Sequence, residues 1–240
     1  MGLQDDGAKH LAKLHKVADV ICFYDFLNQG ESVSRSDELN ELIEALEEAT
    51  KGSYDVVAAK IDASLKHESD RGCVIFGAAL VDESLEDLLR AHFRQAPDDA
   101  KLINSLFQRY APLATFSGKL QIAYAFGIVP RRLRDMIELV RRLRNDFAHE
   151  SGPLGFSDSR CRDRLELLFK LSLEEPSLKK VIDKHDQIKI SSATLKTNTD
   201  ATRAFFTMVL VFILGFLQSF AVFGKAGVDI RERGRKVVKK

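Results

Sequence analysis

The chain has 240 residues, which is enough for one large domain or two small ones. Hydrophobic residues make up 45% and charged residues 30% of it, a globular balance that argues against long disordered stretches. The formal net charge is only +1, so any binding to nucleic acid would need a local basic patch. Five prolines and 14 glycines are few for this length, which favours helices.

Cysteine usage and the N-terminal sequence predict a cytoplasmic protein. The three cysteines, Cys22, Cys73 and Cys161, are far apart, so they suit neither a metal site nor a disulfide framework. The N-terminal residues lack the apolar core of a signal peptide. The six histidines are scattered and form no H-E-x-x-H pattern, so we expect no metal and no cofactor.

Apolar residues recur at helical spacing through most of the chain, and no series of strands with hairpin signals is present. The helices that this spacing predicts, most of them bounded by Gly, Pro or a capping residue, are 36–49, 54–65, 69–93, 97–110, 112–126, 131–150 and 158–171. Residues 174–200 are predicted to be a polar connection. The sequence therefore predicts an all-α, multi-helix bundle.

The stretch AFFTMVLVFILGFLQSFAVF, residues 204–223, contains 20 residues without a charge. At about 1.5 Å per residue, a helix of this length could cross a bilayer of about 30 Å. It could also be the central helix of the bundle, apolar on every side because other helices surround it. Nothing else in the chain resembles a membrane protein, so we favour the buried helix and keep the membrane span as the alternative.

These patterns divide the chain into three predicted parts. Residues 1–35 form an N-terminal appendage, residues 36–224 form the helical domain, and residues 225–240 form a basic C-terminal tail. The tail follows the apolar stretch directly, and its positive charge would also suit the cytoplasmic flank of a membrane span.

The predicted helix at 131–150 carries a cluster of charged and polar side chains near its end. Arg141, Asn145 and His149 share one face because they are spaced four residues apart, and Arg144 lies beside that face. A guanidinium can bind a phosphate, an imidazole can move a proton near neutral pH, and an amide can orient either group. These side-chain types could cleave RNA without a metal ion.

A structural interpretation of the same residues is also open. The arginines would then pair with Glu138 or Glu150, and His149 would stabilise the negative end of the helix dipole. The six arginines between Arg131 and Arg144 also form a basic region, which could make weak, salt-sensitive contacts with RNA or DNA. Such contacts alone do not give the specificity of an operator-binding repressor.

The segment RNDFAH, residues 144–149, resembles the R-x4-6-H motif of the HEPN helical superfamily, in which a polar residue follows the arginine. Many HEPN proteins are ribonucleases whose sites form across a dimer, and others bind RNA or nucleotides without cleaving them. The resemblance implies that Arg144 would stabilise the charged phosphate and that His149 would be the general acid or base. The binding residues in this segment would be Arg141, Arg144, Asn145, Asp146 and His149.

Three longer blocks, residues 68–93, 112–130 and 137–149, are similar in the same order to the mannitol operon repressor (MltR) family. The resemblance implies a helical protein associated with transcriptional repression that lacks a recognisable DNA-binding module. This sequence likewise contains no helix-turn-helix, zinc-finger or basic-zipper pattern. A protein of this kind would act through a protein partner.

Charged residues on the long predicted helix are further candidates. Asp70 and Arg71, at its start, could bind a ligand, or they could have a structural role, as a local cap or as a charge pair with the arginine-rich helix, which is the role we favour. Asp82, Glu83 and Glu86 could serve acid–base chemistry or orient the arginines. Their position on the amphipathic half of the helix favours a solvated or ion-paired face.

The sequence therefore leaves two hypotheses. In the first, the chain is an MltR-like transcriptional regulator, a repressor or co-repressor, that forms a homodimer and acts through protein partners. In the second, it is a metal-independent HEPN-type ribonuclease, or an RNA- or nucleotide-binding protein, that uses Arg144 and His149. Incubation with RNA in the presence of EDTA would separate the two.

Overall fold

A computed structural model of the protein describes residues 56–93, 100–152, 154–184 and 190–238. The predicted appendage at 1–35 and the predicted helix at 36–49 lie outside the described residues. The helices within the described ranges are α1 (56–65), α2 (Asp70–His92), α3 (Ala100–Leu106), α4 (Phe116–Ala125), α5 (Arg131–His149), α6 (Ser159–Glu174), α7 (Pro176–Lys184), α8 (Ser192–Thr197) and α9 (Thr199–Val238). These ranges contain no strand, which confirms the predicted all-α bundle.

Side chains that cap the backbone set the starts of three helices. The hydroxyl of Ser69 accepts a hydrogen bond from the amide of Gly72, and Thr115 accepts one in the same way from Gly118. The carboxylate of Asp158 accepts a hydrogen bond from the amide of Arg160 at the start of α6. Each cap satisfies an amide that has no partner within its own helix, so each helix begins at the residue after its cap.

The predicted helices at 97–110 and 112–126 are both too long. In the structure α3 ends at Leu106, and Tyr110 has a φ of 71°, which no helix accommodates. The amide of Leu113 donates a hydrogen bond to the carbonyl of Leu106 at 3.0 Å, so the chain turns here before Thr115 caps α4. Residues 107–115 therefore form turns, which the apolar spacing did not predict.

The predicted polar connection at 174–200 was also wrong in part, because it contains α7 and α8. Leu178 and Ile182, four residues apart on α7, are 1% and 5% exposed. Leu195 of α8 is buried as well. These few apolar side chains are enough to hold two short helices against the bundle, although lysines and serines dominate the segment.

Helices α2 and α9 form the centre of the bundle and run parallel to each other. Asp70 contacts Arg203 at the start of both helices, and seven residues further along, Gly77 packs directly against Leu210. A Cβ atom at position 77 would overlap with Leu210, so glycine permits this close approach. Helices α4 and α5 pack on other sides of α2, and α6 packs on α5.

The apolar stretch of α9 is a core helix on one side. Phe205, Phe206, Leu210 and Leu217 are fully buried, whereas the side chains of Met208, Val211, Phe212, Phe216 and Phe220 are only partly buried. By length and composition alone, residues Thr199–Ala221 could cross a membrane, and 56% of that apolar window is buried in the bundle. The burial supports the core-helix interpretation, but the helix is not surrounded on every side as predicted.

Candidate functional site

The candidate site lies at the end of α5 and in the loop that joins α5 to α6. Five apolar residues at helical spacing form the inner face of α5 and are each at most 1% exposed, namely Met136, Ile137, Val140, Leu143 and Phe147. The opposite face of the helix therefore presents its charged residues to the surface. The loop is fixed by Phe156, whose ring lies 6.0 Å from Phe147 and 5.4 Å from Phe206.

Arg144 and His149, the two proposed catalytic residues, are both exposed. Arg144 Nη1 donates a hydrogen bond to Oδ1 of the neighbouring Asn145 at 3.1 Å. Within the described ranges, no side chain or backbone group hydrogen-bonds or ion-pairs with the imidazole of His149. Both side chains are thus available to a partner, but they lie on the surface and not in a cavity.

Arg141 is held by a carboxylate of its own helix. Its Nε and Nη2 donate to the two carboxylate oxygens of Glu138, each at 2.8 Å, and Arg142 Nε donates to the same carboxylate at 2.9 Å. The bond from Arg141 is the main reason that the pKa of Glu138 falls from 4.5 to about 2. The structural interpretation is correct for this residue, because its guanidinium already has a bidentate carboxylate partner.

Asp146 connects α5 to α6. Its carboxylate contacts Arg164, with Oδ2 3.1 Å from Nε and Oδ1 3.3 Å from Nη2. Since Arg164 lies on the adjacent helix, this ion pair fixes the end of α5 and does not point into an open site.

Asp70 and Arg71 hold the α5–α6 loop from the start of α2. Arg71 Nη2 donates to the backbone carbonyls of Glu150 and Gly152, the second at 3.2 Å. Asp70 Oδ2 accepts a hydrogen bond from the amide of Phe156 at 3.0 Å. The predicted pairing of these residues with the arginines of α5 does not occur. Instead, they bind the backbone of the loop, and Asp70 also forms an ion pair with Arg203 of α9 at 3.4 Å.

The carboxylates in the middle of α2 do not reach the arginines of α5 either. Asp82 Oδ1 lies 2.8 Å and Glu86 Oε2 lies 3.4 Å from Nζ of Lys119, which is 5% exposed. Glu86 also pairs with Arg90 four residues on. These carboxylates of α2 are therefore ion-paired as expected, and their shared partner is Lys119 of α4.

A pocket of about 510 Å³ lies beside Asp70 and Arg71. The residues that line it are Ser69, Asp70, Arg71, Leu154, Gly155, Ser157 and Asp158. Arg160 pairs with Asp158 at 2.8 Å and also with Glu150, and the bond from Arg160 holds the pKa of Asp158 well below its usual range. The structure thus places Asp70 and Arg71 at a pocket, whereas Arg144 and His149 do not line it.

Arg203, Arg160 and Arg164 are the contributors that the sequence analysis missed. Arg203 is the last charged residue before the apolar stretch of α9. That position in the sequence could have indicated that Arg203 anchors the start of the helix. Arg160 and Arg164 lie one turn apart near the start of α6, and both face acidic groups at the end of α5 or in the loop.

The two described cysteines are buried, and burial is the main reason that the pKa of each thiol is raised, to about 11 for Cys161. They are therefore not activated nucleophiles. The described part of the chain contains no group of three or more His, Cys, Asp or Glu residues that could hold a metal ion.

Comparisons with known proteins identify the family. The chain resembles the structure of the MtlR–HPr complex from Escherichia coli, with a TM-score of 0.51 and 16% identity over 69% of this chain and 98% of that chain. It also resembles a possible transcriptional regulator, YggD, from Shigella flexneri, with a TM-score of 0.51 and 15% identity over 68% of this chain and 96% of that one. No curated protein matches the chain. The sequence pattern of the mannitol repressor (MtlR) family matches residues 57–215, more than half of the chain, so the protein belongs to this family.

Proposed function

We propose that the protein regulates transcription by binding a protein partner, and that it has no DNA-reading module of its own. The observation that carries this proposal is the family match over residues 57–215, which includes α2, α5 and the loop between α5 and α6. The similar Escherichia coli structure is that of a complex with HPr, so HPr is the first candidate partner. A cytoplasmic location belongs to the same proposal.

The end of α5 is the surface that we propose for the partner. Arg164 holds the carboxylate of Asp146, between Arg144 and His149, and Arg71 holds the backbone that follows His149, while the side chains of Arg144 and His149 remain exposed. A rigid backbone with accessible cationic and imidazole groups loses little conformational entropy when a partner binds. Arginine is also among the residues that contribute most to protein interfaces.

Calorimetric titration of the purified protein with HPr tests this proposal. We expect saturable binding, and we expect the double substitution Arg144→Ala and His149→Ala to weaken it by about tenfold or more. Lys60→Ala, at an exposed position of α1, is the matched control and should leave the affinity unchanged. Absence of HPr binding by the folded wild-type protein would rule out HPr as the partner. If neither the double substitution nor Lys60→Ala changes the affinity for HPr, the partner binds elsewhere on the bundle.

The ribonuclease alternative has less support. Of the residues that it would use, Arg141 is committed to Glu138 and Asp146 to Arg164, and neither Arg144 nor His149 lines the pocket beside Asp70 and Arg71. A phosphate-cleaving site needs its cation and its acid or base to converge on one point.

A further inference from the structure

One part of the chain is strongly basic although the whole protein is nearly neutral. Residues 100–134 contain six Lys and Arg and no Asp or Glu. The whole chain, by contrast, contains 36 Lys and Arg and 35 Asp and Glu. Such a separation of charge is unusual for a solvated surface, where the two signs are normally interspersed. It indicates a surface that would attract an anionic partner.

This stretch folds onto one end of the bundle. Arg90, near the end of α2, donates a hydrogen bond to Asn104 of α3 at 2.9 Å, and its guanidinium lies 4.0 Å from the ring centre of Phe107. At the opposite end, Arg71 of α2 contacts the residues that follow α5, so α5 runs antiparallel to α2 and begins near the end of α2. We refer to this end, formed by residues 100–134, as the basic end.

Within the residues that the structure describes, four of the six cations of the basic end have no carboxylate partner. Lys119 is neutralised by Asp82 and Glu86, and Arg134 pairs with Asp135 at 3.0 Å. Arg132 donates to the backbone carbonyl of Glu174 at 2.8 Å. The remaining cations, which are exposed and make no ion pair within the part of the chain that the structure describes, are Lys101, Arg109 and Arg131.

Exposed aromatic rings lie among these cations. Tyr110 is 91%, Phe126 is 70% and Tyr124 is 40% exposed. The guanidinium of Arg134 lies 4.8 Å from the ring centre of Tyr124, and that of Arg109 lies 5.3 Å from the ring centre of Tyr110. Cations combined with accessible ring faces are the elements on which proteins bind single-stranded nucleic acid, because phosphates meet the cations and bases stack on the rings.

The last helix emerges at the same end. Because Asp70 lies beside Arg203 and Gly77 beside Leu210, the parallel register places His92, the last residue of α2, level with position 225 of α9. Helix α9 continues to Val238, about 20 Å further at about 1.5 Å per residue. Residues 225–240 contain seven Lys and Arg against two Asp and Glu, so the sequence of this segment is basic as well.

We propose that the basic end binds the phosphate backbone of nucleic acid, with unpaired bases stacking on Tyr124 and Phe126. Exposed cations interspersed with aromatic rings fit a strand of phosphates and unpaired bases better than the acidic patch of a folded protein. This activity is separate from the binding of a protein partner at the end of α5. It would give sequence-independent affinity and would allow a regulator without a DNA-reading module to remain near a nucleic acid.

The test is fluorescence anisotropy of labelled RNA and DNA single strands and of a DNA duplex of equal length. If three cations contact a single strand, its affinity should fall by roughly 20-fold between about 50 and 200 mM salt, from a slope of about −0.7 per contact. The double substitution Arg109→Ala and Arg131→Ala should remove most of this salt dependence. Phe126→Ala should weaken binding of the single strands more than that of the duplex.

The matched control removes two exposed charges from the other end of the bundle, by Lys60→Ala and Lys66→Ala. The proposal is overturned if the two double variants bind the single strand equally, or if the wild-type protein binds no nucleic acid at low salt. It is also overturned if an acidic polyglutamate chain of equal charge competes better than the unlabelled strand. The same variants should bind HPr with unchanged affinity. If nucleic-acid binding is not found, the proposed function is therefore still tested separately by the HPr titration.

Discussion

Arg203 of α9 and Asp70 of α2 form an ion pair that joins the two central helices at their starts, with Nη1 3.4 Å from Oδ1. The same guanidinium donates hydrogen bonds to the backbone carbonyls of Leu65, at 2.7 Å, and of Glu68. It therefore also binds carbonyls at the end of α1 and in the turn that follows, where the hydrogen bonds of the helix have ended. Because Asp70 binds the amide of Phe156 as well, one pair of residues connects α1, α2, α9 and the loop of the candidate site.

This connection predicts that Arg203→Ala lowers the free energy of unfolding by about 2 to 4 kcal/mol, since it removes a charged partner from two backbone carbonyls and from a half-buried carboxylate. Urea denaturation measures the change. Lys196→Ala, which removes a surface partner of Glu166, is the control and should cost about 1 kcal/mol or less. Equal losses in the two variants would show that the Arg203 contacts do not stabilise the bundle.

The contact of Gly77 with Leu210 gives a second prediction. Gly77→Val should destabilise the protein by about 1 to 3 kcal/mol, because the added side chain would overlap with a leucine that is 0% exposed. Leu210→Ala in the same chain should recover part of this loss, which a double-mutant cycle of unfolding free energies would reveal. Ala79→Val, at an exposed position of the same helix, measures the cost of a β-branched residue alone. A purely additive cycle would contradict the packing argument.

The parts of the fold that local patterns determine could be predicted from the sequence. Apolar spacing predicts the helices at 69–93 and 131–150, and the structure has them at Asp70–His92 and Arg131–His149. Helices α7 and α8 could not be predicted in this way, because only a few apolar residues in a polar segment attach them to the bundle.

The candidate site shows the same division. The pairing of Arg141 with Glu138 was among the predicted alternatives because the two residues are one turn apart. The partner of Asp70 is 133 residues away, and the loop that Arg71 holds is 79 or more residues away. Sequence spacing cannot predict these contacts, because only tertiary packing brings the residues together. Glu150, the other predicted partner for the α5 arginines, pairs with Arg160 of α6 instead.

Glu138 provides a pH-dependent prediction. Its pKa is lower in the folded chain, about 2, than its ordinary value of 4.5, so its ion pairs with Arg141 and Arg142 stabilise the protein fully above about pH 5. This contribution is lost as the pH falls from about 4.5 towards 2. Glu138→Gln should therefore be less stable than the wild type by about 1 to 2 kcal/mol at neutral pH, and the difference should shrink in acid.

Urea denaturation of both proteins at a series of pH values measures that difference. Glu83→Gln, on an exposed carboxylate of α2, is the control and should give no pH-dependent difference of this size. A gap between the wild type and Glu138→Gln that stays constant down to about pH 3 would contradict the assignment of the shift to these ion pairs.

The exposed positions of Arg144 and His149 predict that both can be replaced without harm to the fold. Arg144→Ala and His149→Ala should each change the free energy of unfolding by about 0.5 kcal/mol or less, because neither side chain is buried. Since the variants should stay folded, they also discriminate between the two hypotheses for this segment.

Incubation of the wild-type protein with RNA in EDTA should give no cleavage products, because the cation and the imidazole lie on an open surface while Arg141 and Asp146 are held in other ion pairs. Gel electrophoresis of the RNA reads the result, and His149→Ala serves as the comparison. Cleavage by the wild type that both folded variants lose would make Arg144 and His149 catalytic and would overturn the regulator proposal for this site. Cleavage that the variants retain would come from a contaminating nuclease, since no other described segment combines these groups at this spacing.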